Sequence, residues 1–132
     1  MSRYPAGPIR APAQLVETPL LEMRTEHSLE RAVVHLSGEI DPANADNLCA
    51  AFDEALTARP RHLHVDAAAV SFCDSSGLHA LLHARERSAE VGATLSVEPG
   101  DYLERLLWLT GTTKLFPTTW TDAPTARRPA VG

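Results

Sequence analysis

Cysteine is scarce in this chain. Cys49 and Cys73 are the only two in 132 residues, lack the spacing of a C-x-x-C redox or zinc pair, and sit among apolar neighbours. That pattern argues against a disulfide framework and predicts buried, reduced thiols. Long apolar runs are missing too, and none approaches the roughly 18 residues of a membrane-spanning helix. The opening MSRYPAGPIRAPAQ has no apolar segment of the kind a secretory signal carries. Basic charge is in deficit, with 12 Lys and Arg against 17 Asp and Glu and a net charge of -5. No basic stripe appears, so nucleic acid is not an expected partner. No segment repeats. These absences leave a cytoplasmic protein with no membrane and no nucleic acid to meet.

What is present fits one globular domain. The length allows a single hydrophobic core, and 44% hydrophobic with 22% charged residues is an ordinary soluble balance. Proline draws the boundaries. Pro5, Pro8, Pro12 and Pro19 precede the first strand-like segment, and Pro117, Pro124 and Pro129 follow the last apolar one. Only Pro42, Pro60 and Pro99 fall between, each at an element edge. The expected organisation is a flexible Pro-rich segment over residues 1–19, a folded body over 20–116, and a flexible tail over 117–132.

Periodicity alternates within the body. LLEMRTEH and AVVHLSGEI read as a hairpin ending near Gly38. Asp41-Pro42 then offers an N-cap with proline at the first helical position, followed by Ala45, Leu48, Phe52, Ala55 and Leu56 at helical spacing. RHLHVDAAAV predicts a strand with Leu63, Val65, Ala67 and Ala69 on one face and His62 and His64 on the other. A second helix runs from Gly77 to about Glu90 on an apolar stripe of Leu78, Leu81 and Leu82, and Gly92 ends it. ATLSVE is a further strand, and Pro99-Gly100-Asp101 opens a third helix carrying Leu103, Leu106 and Leu107. The order β-β-α-β-α-β-α requires crossovers, hence an α/β fold with a partly parallel sheet and helices packed over it.

The stretch SFCDSSGLHALL, Ser71 to Leu82, sits where a strand gives way to a helix. Two hydroxyls beside a carboxylate at that point admit three readings. Asp74 or Ser75 can cap the helix, which accounts for only one polar residue. A serine here can also be a nucleophile, but the elbow of serine hydrolases needs glycine where Cys73 stands and a base held by a third group. None of His27, His35, His62, His64, His79 and His83 stands in such a context. The third reading is a serine that another protein modifies. His79 and His83 share a helix face at i, i+4, yet H-A-L-L-H lacks the glutamate of zinc-binding helices and a third ligand, so a solvated or partner-facing stripe with Glu86 and Arg87 is expected and no metal.

Three blocks together, LSGEIDPANADNL, VDAAAVSFCDSSGLHALL and VEPGDYLERLLWLTGTTKLF, resemble a bacterial anti-sigma factor antagonist of the STAS domain type over about Leu20 to Phe116. The specific parts are Gly38, Glu39 and Asp41 in one turn and Asp74 to Leu78 in the other. The resemblance implies a mixed four-stranded sheet with helices packed on one face and no cofactor. It implies a non-enzymatic binding module that captures a serine/threonine kinase anti-sigma factor and frees a sigma factor, in settings such as stress response or sporulation. Ser76 becomes the kinase target and so a switch, with Ser75 left as the cap, and a phosphatase acting on phospho-Ser76 would reset it. The partner surface would comprise Asp41, Asp74, Ser75, Ser76, Gly77 and His79 on a monomer or weak dimer. A STAS subunit of a transporter or signalling assembly is the alternative, and a small serine hydrolase a third. Ala67 to Ala69 departs from the leucine-serine usual after the strand aspartate Asp66, which thins the core there.

Overall fold

The computed structural model describes residues 14–17 and 20–118. Alternation of buried and exposed side chains builds the first hairpin. Strand β2, Leu21–His27, buries Leu21, Met23 and Thr25, and β3, Arg31–Ile40, buries Ala32, Val34, Leu36 and Ile40. The two pair antiparallel from Leu21 opposite Gly38 to His27 opposite Ala32. Helix α1, Ala45–Thr57, carries the chain to β4, His62–Cys73, which lies parallel to β3. Helix α2, Ser75–Glu90, leads to β5, Thr94–Pro99, parallel to β4, and helix α3, Asp101–Leu109, follows. These are the mixed sheet and three helices expected from the sequence.

The sheet carries one strand more than the expected four. Strand β1, Gln14–Glu17, pairs antiparallel with the outer edge of β2, giving the order β1-β2-β3-β4-β5. Residues 14–17 lie in the segment expected to be flexible, and that expectation is corrected there. The open edge of β2 offers unpaired N–H and C=O groups, which four residues between Pro12 and Pro19 suffice to cover. At the other end, the Val97 amide donates to the Pro117 carbonyl at 2.8 Å, so the folded body reaches one residue past Phe116. Residues 1–13, 18–19 and 119–132, the rest of the two expected flexible segments, lie outside the described residues.

One face of the sheet is apolar and carries the helices: α1 packs over β2 and β3, α2 over β4 and β5, and α3 mainly against β4. Phe52, Leu48, Leu81, Leu103, Leu107 and Phe116 from outside the sheet join its buried side chains in one cluster. Fully burying such side chains contributes about 1.5–3 kcal/mol each, the dominant favourable term. The opposite face is polar, with His35 between Glu26 and Asp66 at 3.2 and 2.9 Å and His64 buried on Ser96 Oγ at 2.6 Å. Burial holds the His64 imidazole below its usual range.

Two irregularities in β4 alter its sequence-predicted facing. Its register against β3 slips between His35 and Ser37 and again between Gly38 and Glu39. Each slip inserts a residue and turns the following side chains over. Ala67 is buried as expected, but Ala69 is exposed and Val70 and Cys73 point into the core instead. Both cysteines are free thiols. Among the described residues, no helix is long and apolar enough to cross a membrane.

The β1 pairing generates a first test. A chain beginning at Leu20 leaves β2 as the open edge. Net backbone hydrogen bonds of about 0.5–1.5 kcal/mol each, set against the cost of ordering four residues, put the loss at about 1 kcal/mol. Scanning calorimetry should then find a melting point about 4–8 °C below that of the full chain. An unchanged melting point would mean that β1 adds nothing.

Candidate functional site

The site forms where two parallel strands end side by side. Ile40, the last residue of β3, lies opposite Cys73, the last of β4, and the Asp74 amide donates to the Ile40 carbonyl at 3.4 Å. The next residue of each strand is an aspartate. Asp41 and Asp74 therefore enter neighbouring loops at the carboxyl end of the sheet, where open α/β sheets place their ligands. The structure brings together all six residues expected from the sequence: Asp41 on one loop, and Asp74, Ser75, Ser76, Gly77 and His79 on the other with the first turns of α2.

Gly38 shapes the first loop. Its φ of 118° is open to glycine, and a Cβ there would strike the Leu20 carbonyl, which the Glu39 amide reaches at 2.8 Å. Asp41 accepts from the Ala43 amide through Oδ1 at 2.9 Å, and Pro42 fills the next position. The helix itself begins at Ala45, with Asn44 at the N-cap, so Asp41 closes a turn ahead of α1 rather than capping its first helical residue. Asn44 is the residue that sequence reasoning missed. It is 2% exposed, accepts from the Asp41 amide at 3.1 Å and donates to the Glu39 carbonyl at 3.0 Å. The one signal for it was that asparagine, like aspartate, favours N-cap positions, and Asn44 stands three residues after Asp41.

The second loop corrects the expected cap. Asp74, not Ser75, caps α2: its backbone is extended at φ -102° and ψ -166°, and Oδ1 accepts from the Ser76 amide at 2.9 Å. Ser75 is already the first helical residue and is exposed. Aspartate and serine cap about equally well, so residue type could not choose between adjacent candidates. The half-buried Ser76 hydroxyl also donates to Asp74 Oδ1. That hydroxyl bond, opposed by burial and aided by the Ser76 and Gly77 amides, holds the Asp74 carboxyl below its usual range.

Gly77 makes the helix start fit the strand ends. A Cβ at this position would overlap Cys73 Sγ and reach Ile40 Cγ2 at 3.0 Å. The same burial, with Asp74 nearby, pushes the Cys73 thiol up to about 12, so it stays protonated and unreactive. His79 is exposed three residues beyond Ser76 and so borders it on the helix surface. His83 leaves that face for Asp53 Oδ1 of α1, 2.9 Å away, which Arg87 Nε also reaches at 3.2 Å. The two histidines therefore do not act as a pair. Among the described residues no group of three or more His, Cys, Asp or Glu could hold a metal ion. The serine hydroxyl rests on a carboxylate and not on an imidazole, while His35, His62, His64 and His83 have partners elsewhere.

The cap predicts a pH dependence. A carboxyl whose proton is held off in the folded state stabilises it fully above the unfolded aspartate value, about 3.9, and loses that contribution as pH falls through the lower folded value. Asp74→Ala should cost about 0.5–2 kcal/mol at neutral pH, and the gap from wild type should narrow below about pH 4. Thermal melts at pH 7 and pH 3 check it. A gap that is the same at both would assign Asp74 a role independent of its charge.

Comparison with known proteins follows the same geometry. The family profile described as Mlab, STAS domain, matches residues 23–117. The anti-sigma F factor antagonist of Paenibacillus polymyxa is 30% identical over 99 residues, 74% of this chain and 85% of that protein. The crystal structure of an anti-sigma factor antagonist from Mycobacterium paratuberculosis superposes with a TM-score of 0.67 at 29% identity, covering 81% of this chain and 92% of that one. SpoIIAA in its unphosphorylated form shares the fold, with a TM-score of 0.64 at 17% identity over 76% of this chain and 90% of that one. The match spans both strand-end loops and all three helices, and this chain belongs to the STAS-domain family of anti-sigma factor antagonists.

Proposed function

We propose that the unmodified chain binds a serine-kinase anti-sigma factor and so releases the sigma factor, and that phosphorylation of Ser76 by that kinase ends the binding. The observation that carries this reading is the Ser76 hydroxyl, half-buried at a helix start and bonded to Asp74. With its proton directed at a carboxylate, the oxygen keeps lone pairs for an incoming phosphoryl group. In the transfer, the oxygen–phosphorus bond forms as the bond to the ATP leaving group breaks, and the hydroxyl proton departs to a base. Ser75 lies exposed beside it but lacks that bond to Asp74.

The same contact makes the product a switch. A phosphate brings a charge of about -1.5 to -2 and removes the donor hydrogen that Asp74 accepts. The amino end of α2 favours the phosphate by about 0.3–1 kcal/mol, so the domain itself tolerates it. Across a desolvated interface the balance reverses. The phosphate would stand beside Asp74, already held in its charged form, and close to Asp41 on the adjoining loop. An uncompensated charge buried there costs several kcal/mol. Shifting a complex from almost fully bound to almost fully free takes about 5.5 kcal/mol, within reach of that cost plus lost hydroxyl bonds. A phosphatase acting on phospho-Ser76 would restore binding.

Incubation of the full chain with candidate anti-sigma kinases from its organism and Mg-ATP, followed by phosphopeptide mapping, tests the assignment. One phosphate on Ser76 and little on Ser75 is the expected pattern. Phosphate on Ser75 alone would overturn the residue assignment. Phosphate on neither, with a kinase active on another substrate, would favour a STAS subunit of an assembly that does not act on a sigma factor.

A further inference from the structure

We infer that the partner surface continues from the Ser76 loop across Phe72 and Tyr102 onto the outer face of α3, and that the anti-sigma factor covers this strip with an apolar ridge carrying a carboxylate. The inference rests on the proposed function and names a second part of the same interface. Leu103 and Leu107 pin the inner face of α3 to the core. The outer face is mixed: Asp101, Glu104 and Arg105 are exposed on it, but so are three large side chains that a solvated helix face would not carry. Trp108 and Leu109 are 73% and 64% exposed and Tyr102 43%. At about 100° per residue, Tyr102, Leu109 and Arg105 fall within about 60° of one another, with Trp108 about 60° further on. Large side chains this exposed and this close mark a surface that another molecule covers.

Continuity identifies the occupant. Phe72 stands two residues before Asp74 on the end of β4, and its ring meets that of Tyr102 at 5.3 Å. The strip thus begins at the switch loop. Asp101, Tyr102 and Arg105 also wall a groove of about 500 Å³ whose floor is Ala68 to Ser71 of β4. Tryptophan, tyrosine and arginine are the residue types that carry most binding energy at protein interfaces. Arg105 forms no ion pair with another described residue, which leaves its charge for a partner carboxylate. A second copy of this chain fits less well, because each copy carries a net charge of -5.

The test uses the full chain and the purified kinase that phosphorylates Ser76. Trp108→Ala is titrated calorimetrically against that kinase, with Leu29→Ala as control. Leu29 is 95% exposed in the β2–β3 turn, at the opposite end of β3 from the site. Trp108→Ala should weaken binding by about tenfold or more and raise the half-saturating concentration for phosphorylation while leaving the saturated rate unchanged. Leu29→Ala should bind like wild type. Thermal melts accompany both, and Leu109→Ser replaces Trp108→Ala if that melt falls. Wild-type affinity of the α3 variants, with Ser76→Asp still releasing the kinase, overturns the strip and leaves the switch standing. A Trp108-dependent dimer in sedimentation velocity also overturns it, by giving the strip to a second copy. If no anti-sigma kinase binds the wild-type chain, the proposed function falls and the strip with it.

Discussion

The site depends on one carboxylate oxygen. Asp74 Oδ1 accepts the Ser76 amide at 2.9 Å and the Ser76 hydroxyl as well, so a single atom starts helix α2 and positions the residue proposed as the switch. In the proposed mechanism, stability and regulation meet at that atom. Removing the hydroxyl hydrogen takes one bond from Asp74 and leaves the amide bond, which is why a modified Ser76 need not unfold the helix. The bond also keeps the carboxyl charged, and charge is what a phosphate beside it would oppose.

Everything around that oxygen serves to hold it at the strand ends. The parallel register sets Ile40 beside Cys73 and so puts Asp41 and Asp74 on adjoining loops. Gly77 allows α2 to leave β4 in contact with Cys73 and Ile40, and Gly38 allows the β3 end to pass under the Leu20 carbonyl. Buried Asn44 ties the Glu39 and Asp41 backbones together. The two slips in β4 bring Val70 and Cys73 into the core, and their neighbour Phe72 is left exposed toward α3. A surface assembled from rigid strand ends and a packed helix start needs little rearrangement to serve as the proposed interface, where a local charge would then govern affinity.

Much of this is legible from the residues. Proline placement and the change between period two and period 3.6 locate β2 to β5 and the three helices, because a half-buried sheet and helices packed on it impose those periods directly. Strand β1 escapes because four residues between prolines carry no period. The facing of Ala69 escapes because a bulge inverts alternation without any mark in the sequence. At the site, D-S-S-G shows that a helix starts but not which of Asp74 and Ser75 caps it, since both types cap well. Asn44 was passed over because the sequence shows its type and spacing but not its bonds to the Glu39 and Asp41 backbone. The outer face of α3 reads in sequence as a helix with Leu103, Leu106 and Leu107 inward, and only the packed fold shows what Tyr102, Trp108 and Leu109 leave uncovered.

The central claim is that charge on Ser76 breaks the complex while the domain stays folded. Calorimetric titration of the kinase partner into the unmodified chain and into chain phosphorylated only at Ser76 tests it most directly, with a thermal melt of each. The account predicts affinity lower by about three orders of magnitude or more, an effect of about 4 kcal/mol, with melting points within a few degrees of each other. Equal affinity for the two forms, or weaker binding accompanied by a collapse of the melt, would contradict it.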